Sequence, residues 1–68
     1  MIDATLRIGN KNYEIFGTCI KDISIYLVFT RPNGTKARIQ ERSQLFIVQY
    51  EQRLTEALKA AKHSYRAA

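Results

Sequence analysis

Nucleophilic catalysis needs a Ser, Cys or Thr within reach of a base. This chain offers one histidine, His63, and one cysteine, Cys19. His63 lies near the chain end on the polar side of a helical pattern. Cys19 falls in an apolar stretch, where an unpaired cysteine ordinarily acts as a small buried hydrophobe. One Cys and one His are also too few for a zinc site. The six carboxylates, Asp3, Glu14, Asp22, Glu41, Glu51 and Glu56, are scattered and fall in no motif. Gly9, Gly17 and Gly34 are too far apart for a phosphate-binding loop. A chain of 68 residues also struggles to enclose a substrate pocket of roughly 300 Å³ or more. These residues predict a protein without catalysis, metal or cofactor.

The cations point elsewhere. Eleven Lys or Arg against six Asp or Glu give a net charge of +5, which favours polyanions or acidic protein surfaces. The densest stretch runs from Arg31 to Arg42, where Arg31, Lys36, Arg38 and Arg42 face Glu41 alone. The basic chain end (Lys59, Lys62, His63, Arg66) is a second, weaker candidate for phosphates.

What must position these residues is legible from hydrophobic period, which changes once, near residue 42. Residues 2 to 8 alternate, with Ile2, Ala4, Leu6 and Ile8 on one face. Gly9-Asn10-Lys11-Asn12 reads as a turn. Residues 13 to 20 form a second strand with mixed faces, and Gly17 marks a candidate bulge. Lys21-Asp22 is a weaker turn. Residues 23 to 30 are β-branched and aromatic, the strongest strand signal. Arg31-Pro32-Asn33-Gly34 suits a type I turn in a four- or five-residue hairpin loop. Residues 35 to 41 form a fourth strand, with Thr35, Ala37 and Ile39 inward. A long helix follows from Ser43, a good N-cap. Its stripe is Ile47, Tyr50, Leu54, Ala57, Leu58, Ala61 and Tyr65. The expected fold is therefore α+β: a four-stranded antiparallel meander over about 2–41, then one helix over about 43–65, in a single domain 1–68.

One helix covers one sheet face. If it packs on Leu6, Ile15, Ile25, Leu27 and Ile39, the other face shows Arg7, Phe16, Tyr26, Val28, Lys36 and Arg38. Lys and Arg hold phosphates and exposed rings stack on bases, so this face suits DNA or RNA. The expected nucleic-acid-binding residues are Arg7, Tyr26, Arg31, Lys36, Arg38 and Arg42. Leu45, Phe46, Ile47 and Val48 are apolar in succession and surround the first helical turns. One sheet face cannot cover them all, so this segment is either partly strand or in contact with a second chain. Phe16, Leu45, Phe46 and Val48 are the expected interface, in a homodimer. The alternative is a small interaction or inhibitor protein, of phage or mobile-element type, docking an acidic protein partner through its apolar or aromatic patch.

The order of four strands and a helix is similar to that of single-stranded-DNA-binding transcriptional coactivator domains, which are dimers. A sheet followed by a helix also resembles the arm-binding domains of phage integrases. No motif in this chain carries either comparison, and neither is adopted.

Size and composition complete the expectations. A domain this small buries only about 60% of its unfolded surface, so its core is thin. Without disulfide or metal, a partner chain or an unusually good core must compensate. There is no run of 18 uncharged apolar residues, and the start, Met1-Ile2-Asp3-Ala4, lacks the layout of a signal peptide. Cytoplasmic location without membrane contact is expected.

Overall fold

The computed structural model describes the backbone of residues 2–67 and the side chains of residues 2–61. It has the expected ββββα order. Strands β1 (Ala4–Ile8), β2 (Lys11–Phe16), β3 (Ser24–Thr30) and β4 (Lys36–Glu41) are followed by helix α1 (Gln44–Ala67). The strands form one antiparallel sheet in the order β1-β2-β3-β4. Register runs through Leu6↔Tyr13, Tyr13↔Leu27 and Leu27↔Ile39, so these four share one face.

Turn chemistry sets that register. The first hairpin is tighter than the four-residue turn expected, because Ile8 already pairs with Lys11. Gly9, at φ +62°, takes the first central position that a type II′ turn gives to glycine. In the second hairpin the Gly34 N–H donates to the Arg31 carbonyl at 2.9 Å, and the Arg31 N–H donates to the Thr35 carbonyl at 2.8 Å. Among the described residues no non-glycine has positive φ, which excludes a type II turn at Asn33 and leaves type I. Five residues, Arg31 to Thr35, join β3 to β4, within the expected length, and Gly34 at φ +89° forms the bulge that closes the loop. The Asn33 side chain locks this tip by accepting from the Thr35 N–H and hydroxyl.

The second strand stops at Phe16, short of the expected residue 20. Gly17 is a terminator, with φ +136°, rather than a bulge within the strand. A Cβ there would lie 2.9 Å from the Asp22 carbonyl oxygen and 2.9 Å from Ile23 Cα. The chain then bends into a short 3₁₀ turn, Ile20–Asp22. Cys19 sits in this bend and is exposed, not part of an apolar strand as expected.

The helix starts as predicted, with the Ser43 hydroxyl accepting from the Phe46 N–H at 3.4 Å. Residues 43–48 are thus cap and helix, not a fifth strand. Ile15 and Leu54 are fully buried, Ile25 nearly so, and Ala4, Tyr13 and Leu58 complete the core cluster. Tyr50 departs from helical geometry (φ −112°, ψ 18°), although no proline or glycine lies in α1. The break falls where three rings gather: Phe46 lies 5.0 Å from Tyr13 and 4.9 Å from Tyr50. Burial, then the Glu41 carboxylate and Tyr50, push the Tyr13 phenol above its ordinary pKa. The expected stripe residue Tyr65 lies outside the described side chains, as do Lys62, His63 and Arg66 of the basic chain end.

The helix packs towards β1 rather than centrally. Arg53 Nη2 donates to the Arg7 carbonyl at 2.7 Å, capping the β1 edge. The opposite end of the sheet is left bare. Ile39, expected in the core, is 56% exposed, and Phe29 beside it is also exposed. Among the described residues no helix is long and apolar enough to cross a membrane.

Candidate nucleic-acid interface

The face turned away from α1 is set by strand alternation and register. One row across it reads Arg7, Asn12, Val28, Arg38; the next reads Thr5, Glu14, Tyr26, Gln40. Phe16 lies opposite Ser24, and Lys36 opposite Thr30, on the same side. The structure therefore brings together Arg7, Phe16, Tyr26, Val28, Lys36 and Arg38, the six residues the alternation pattern assigned there.

Their arrangement has an order that sequence alone did not reveal. The rings occupy the two central strands, Phe16 on β2 and Tyr26 on β3. The cations occupy the two outer strands, Arg7 on β1 and Lys36 and Arg38 on β4. Phe16 and Tyr26 are half-buried and meet edge to face, with centroids 5.4 Å apart at 90°. That is a favoured geometry for aromatic pairs. Arg7 and Lys36 approach from opposite edges and line one depression of about 310 Å³ with Thr5, Asn12, Glu14 and Val28.

Glu14 is the carboxylate in the middle of this face, paired with Thr5 and Tyr26. Arg38 Nε donates to its Oε1 at 2.5 Å, and this is the only salt bridge among those residues. The hydrogen bond to Glu14, then the attraction of its charge, holds the Arg38 guanidinium above its ordinary pKa. Most of the remaining carboxylates accept hydrogen bonds, Asp3 at the margin of this face and the others off it. Asp3 accepts from the Gly17 N–H at 2.7 Å, Asp22 from the Thr18 and Cys19 N–H groups, and Glu41 from the Ser43 N–H. Glu51 and Glu56 are exposed on α1. On the face itself Arg7, Lys36 and Arg38 outnumber Glu14, which leaves it net positive.

The other expected cations flank this face. Arg31 donates to the Thr35 hydroxyl at 3.4 Å beside the hairpin tip, and Arg42 to Gln40 Oε1 at 3.2 Å just beyond β4. Arg7 Nε donates to the Gly9 carbonyl at 3.1 Å. A guanidinium carries five N–H donors, so each of these arginines keeps donors for a further acceptor.

The expected interface residues divide. Phe46 turns inward and packs with Tyr13 and Tyr50, and Ile47 packs on the core. Leu45 and Val48 stay 73% and 68% exposed. Phe16 belongs to the basic face. Exposed Ile39 and Phe29 were missed by sequence reasoning, because their apolar alternation is the same whether or not a helix covers them. Among the described residues no group of three His, Cys, Asp or Glu side chains could hold a metal ion.

No family model matches this chain, and no match is found among curated proteins or solved structures.

Proposed function

We propose that this protein is a non-catalytic nucleic-acid-binding module that uses the outer face of its sheet. The observation that carries this reading is the convergence of Arg7 and Lys36 on one depression from opposite sheet edges, with Arg38 beside them and Glu14 the carboxylate that lines it. Cations spread over both edges of a flat surface suit a ligand with repeated phosphates better than a single anion. Arg31 and Arg42 extend the basic track to either end of β4.

The experiment is a binding titration of labelled oligonucleotide against wild type, Lys36→Glu, and the double variant Lys36→Glu with Arg38→Glu. Circular dichroism is recorded for each protein. The reading expects weaker binding by the single variant and loss of binding by the double variant, with the fold retained. Undiminished binding by a folded double variant overturns the site.

A homodimer formed through Leu45, Val48 and Ile39 completes the proposal. Leu45, Val48 and Ile39 stay 73%, 68% and 56% exposed, apolar surface that a second copy would cover. These residues lie off the basic face, so a second copy leaves that face open. Exposed Cys19 fits the cytoplasm, where thiols stay reduced.

A further inference from the structure

We infer that the outer sheet face selects single-stranded over double-stranded nucleic acid, taking bases on Phe16 and Tyr26 and phosphates on the flanking cations. This rests on the proposed function and names its ligand.

The argument is geometric. Four strands about 4.8 Å apart span roughly 14 Å from β1 to β4. The major groove of B-form DNA is about 12 Å wide and admits a helix or a two-stranded ribbon. A four-stranded face cannot enter it. Against an undistorted B-form duplex, the face could meet phosphates only, at its outer strands; reaching bases there takes a minor groove forced open, at a cost of a few kcal/mol. The rings of Phe16 and Tyr26, on the central strands, would touch no base.

A single strand removes that restriction. Its bases are free to turn towards the protein while its phosphates remain at the margins. Rings inside and cations outside match that division of the ligand. The Phe16–Tyr26 contact, at 5.4 Å and 90°, places the two rings side by side, edge to face, on the central strands. Asn12, Thr5 and Gln40 lie in the same two rows and provide amide and hydroxyl groups for base edges. Stacking tolerates any base, so the expected preference is for strandedness more than for sequence.

The test compares a labelled single-stranded oligonucleotide with the duplex of the same sequence and length, at matched salt. The proteins are wild type, Tyr26→Leu and Tyr26→Phe. Leucine keeps apolar bulk beside Phe16 but removes the ring; phenylalanine keeps the ring. The expected result is tighter binding of the single strand by wild type. Tyr26→Leu should weaken it by roughly 5- to 150-fold, and Tyr26→Phe should retain it. Phe16→Leu, measured the same way, replaces Tyr26→Leu if that variant fails to fold. Equal or tighter binding of the duplex overturns the inference, as does a folded leucine variant with unchanged single-strand affinity. In both of those cases nucleic-acid binding itself still stands. Absence of binding to either form overturns the proposed function and the inference with it.

Discussion

Arg38, on the edge strand β4, reaches across β3 to donate its Nε–H to Glu14 on β2. A phosphate arriving at Arg38 must compete with that carboxylate. Glu14→Gln removes the competing charge while keeping a hydrogen-bond acceptor. Affinity for an oligonucleotide is expected to rise about three- to tenfold at low salt, with a steeper salt dependence. Exposed ion pairs contribute little to stability, so the melting temperature should hardly change. A fall in affinity would show that Glu14 supports the site instead of opposing it.

Gly17 and Gly34 both have positive φ, but their surroundings differ. Gly34→Ala meets open space and carries only the backbone cost, about 1 kcal/mol. Gly17→Ala adds a collision with the Asp22 carbonyl and Ile23 Cα, and should cost about 3 kcal/mol or more. Chemical denaturation of the two variants checks the order. Equal losses would mean that the β2 exit relaxes without cost.

Asp22 organises that same exit. Its carboxylate accepts from the Cys19 N–H at 3.0 Å, the Thr18 N–H at 3.2 Å and the Thr18 hydroxyl at 3.2 Å. These bonds, the one from the Cys19 backbone foremost, hold its pKa below the ordinary value of 3.8. The depressed pKa means that this stabilisation is complete above the unfolded value and disappears as pH falls through the lower, folded value. Thermal melts over roughly pH 2 to 7 should show Asp22→Asn less stable than wild type at neutral pH, with the gap narrowing below about pH 4. A constant gap at all pH values would contradict the assignment.

The order of elements and the basic face were legible because they depend on local rules. Alternation set which strand residues face together, Pro32-Asn33-Gly34 set the second turn, and Ser43 set the helix start. What escaped depends on contacts between distant residues. Gly17 permits a bulge or a stop equally well, and only the approach of Asp22 and Ile23 selects the stop. Ile39 alternates like a core residue, but whether it is covered depends on where α1 lies. That in turn depends on Leu54 and Leu58 packing against Ala4, Tyr13, Ile15 and Ile25, far away in the chain. The four successive apolar residues at the helix start were ambiguous for the same reason. The tertiary ring cluster draws Phe46 inward and leaves Leu45 and Val48 outside.

Leu45→Glu with Val48→Glu tests the self-association surface. Neither side chain supports the core, so the double variant should fold. Light scattering after gel filtration is expected to report a dimer for wild type and a monomer for the variant. A monomeric wild type would leave Leu45, Val48 and Ile39 to a different protein partner.

The most direct test of the central claim is the salt dependence of oligonucleotide binding by the wild-type protein. Fluorescence anisotropy titrations at increasing salt give the slope of log affinity against log salt. Three to five cations meeting phosphates of a single strand predict a slope of roughly −2 to −3.5. A slope near zero, or no binding at low salt, would contradict a basic sheet face built for nucleic acid.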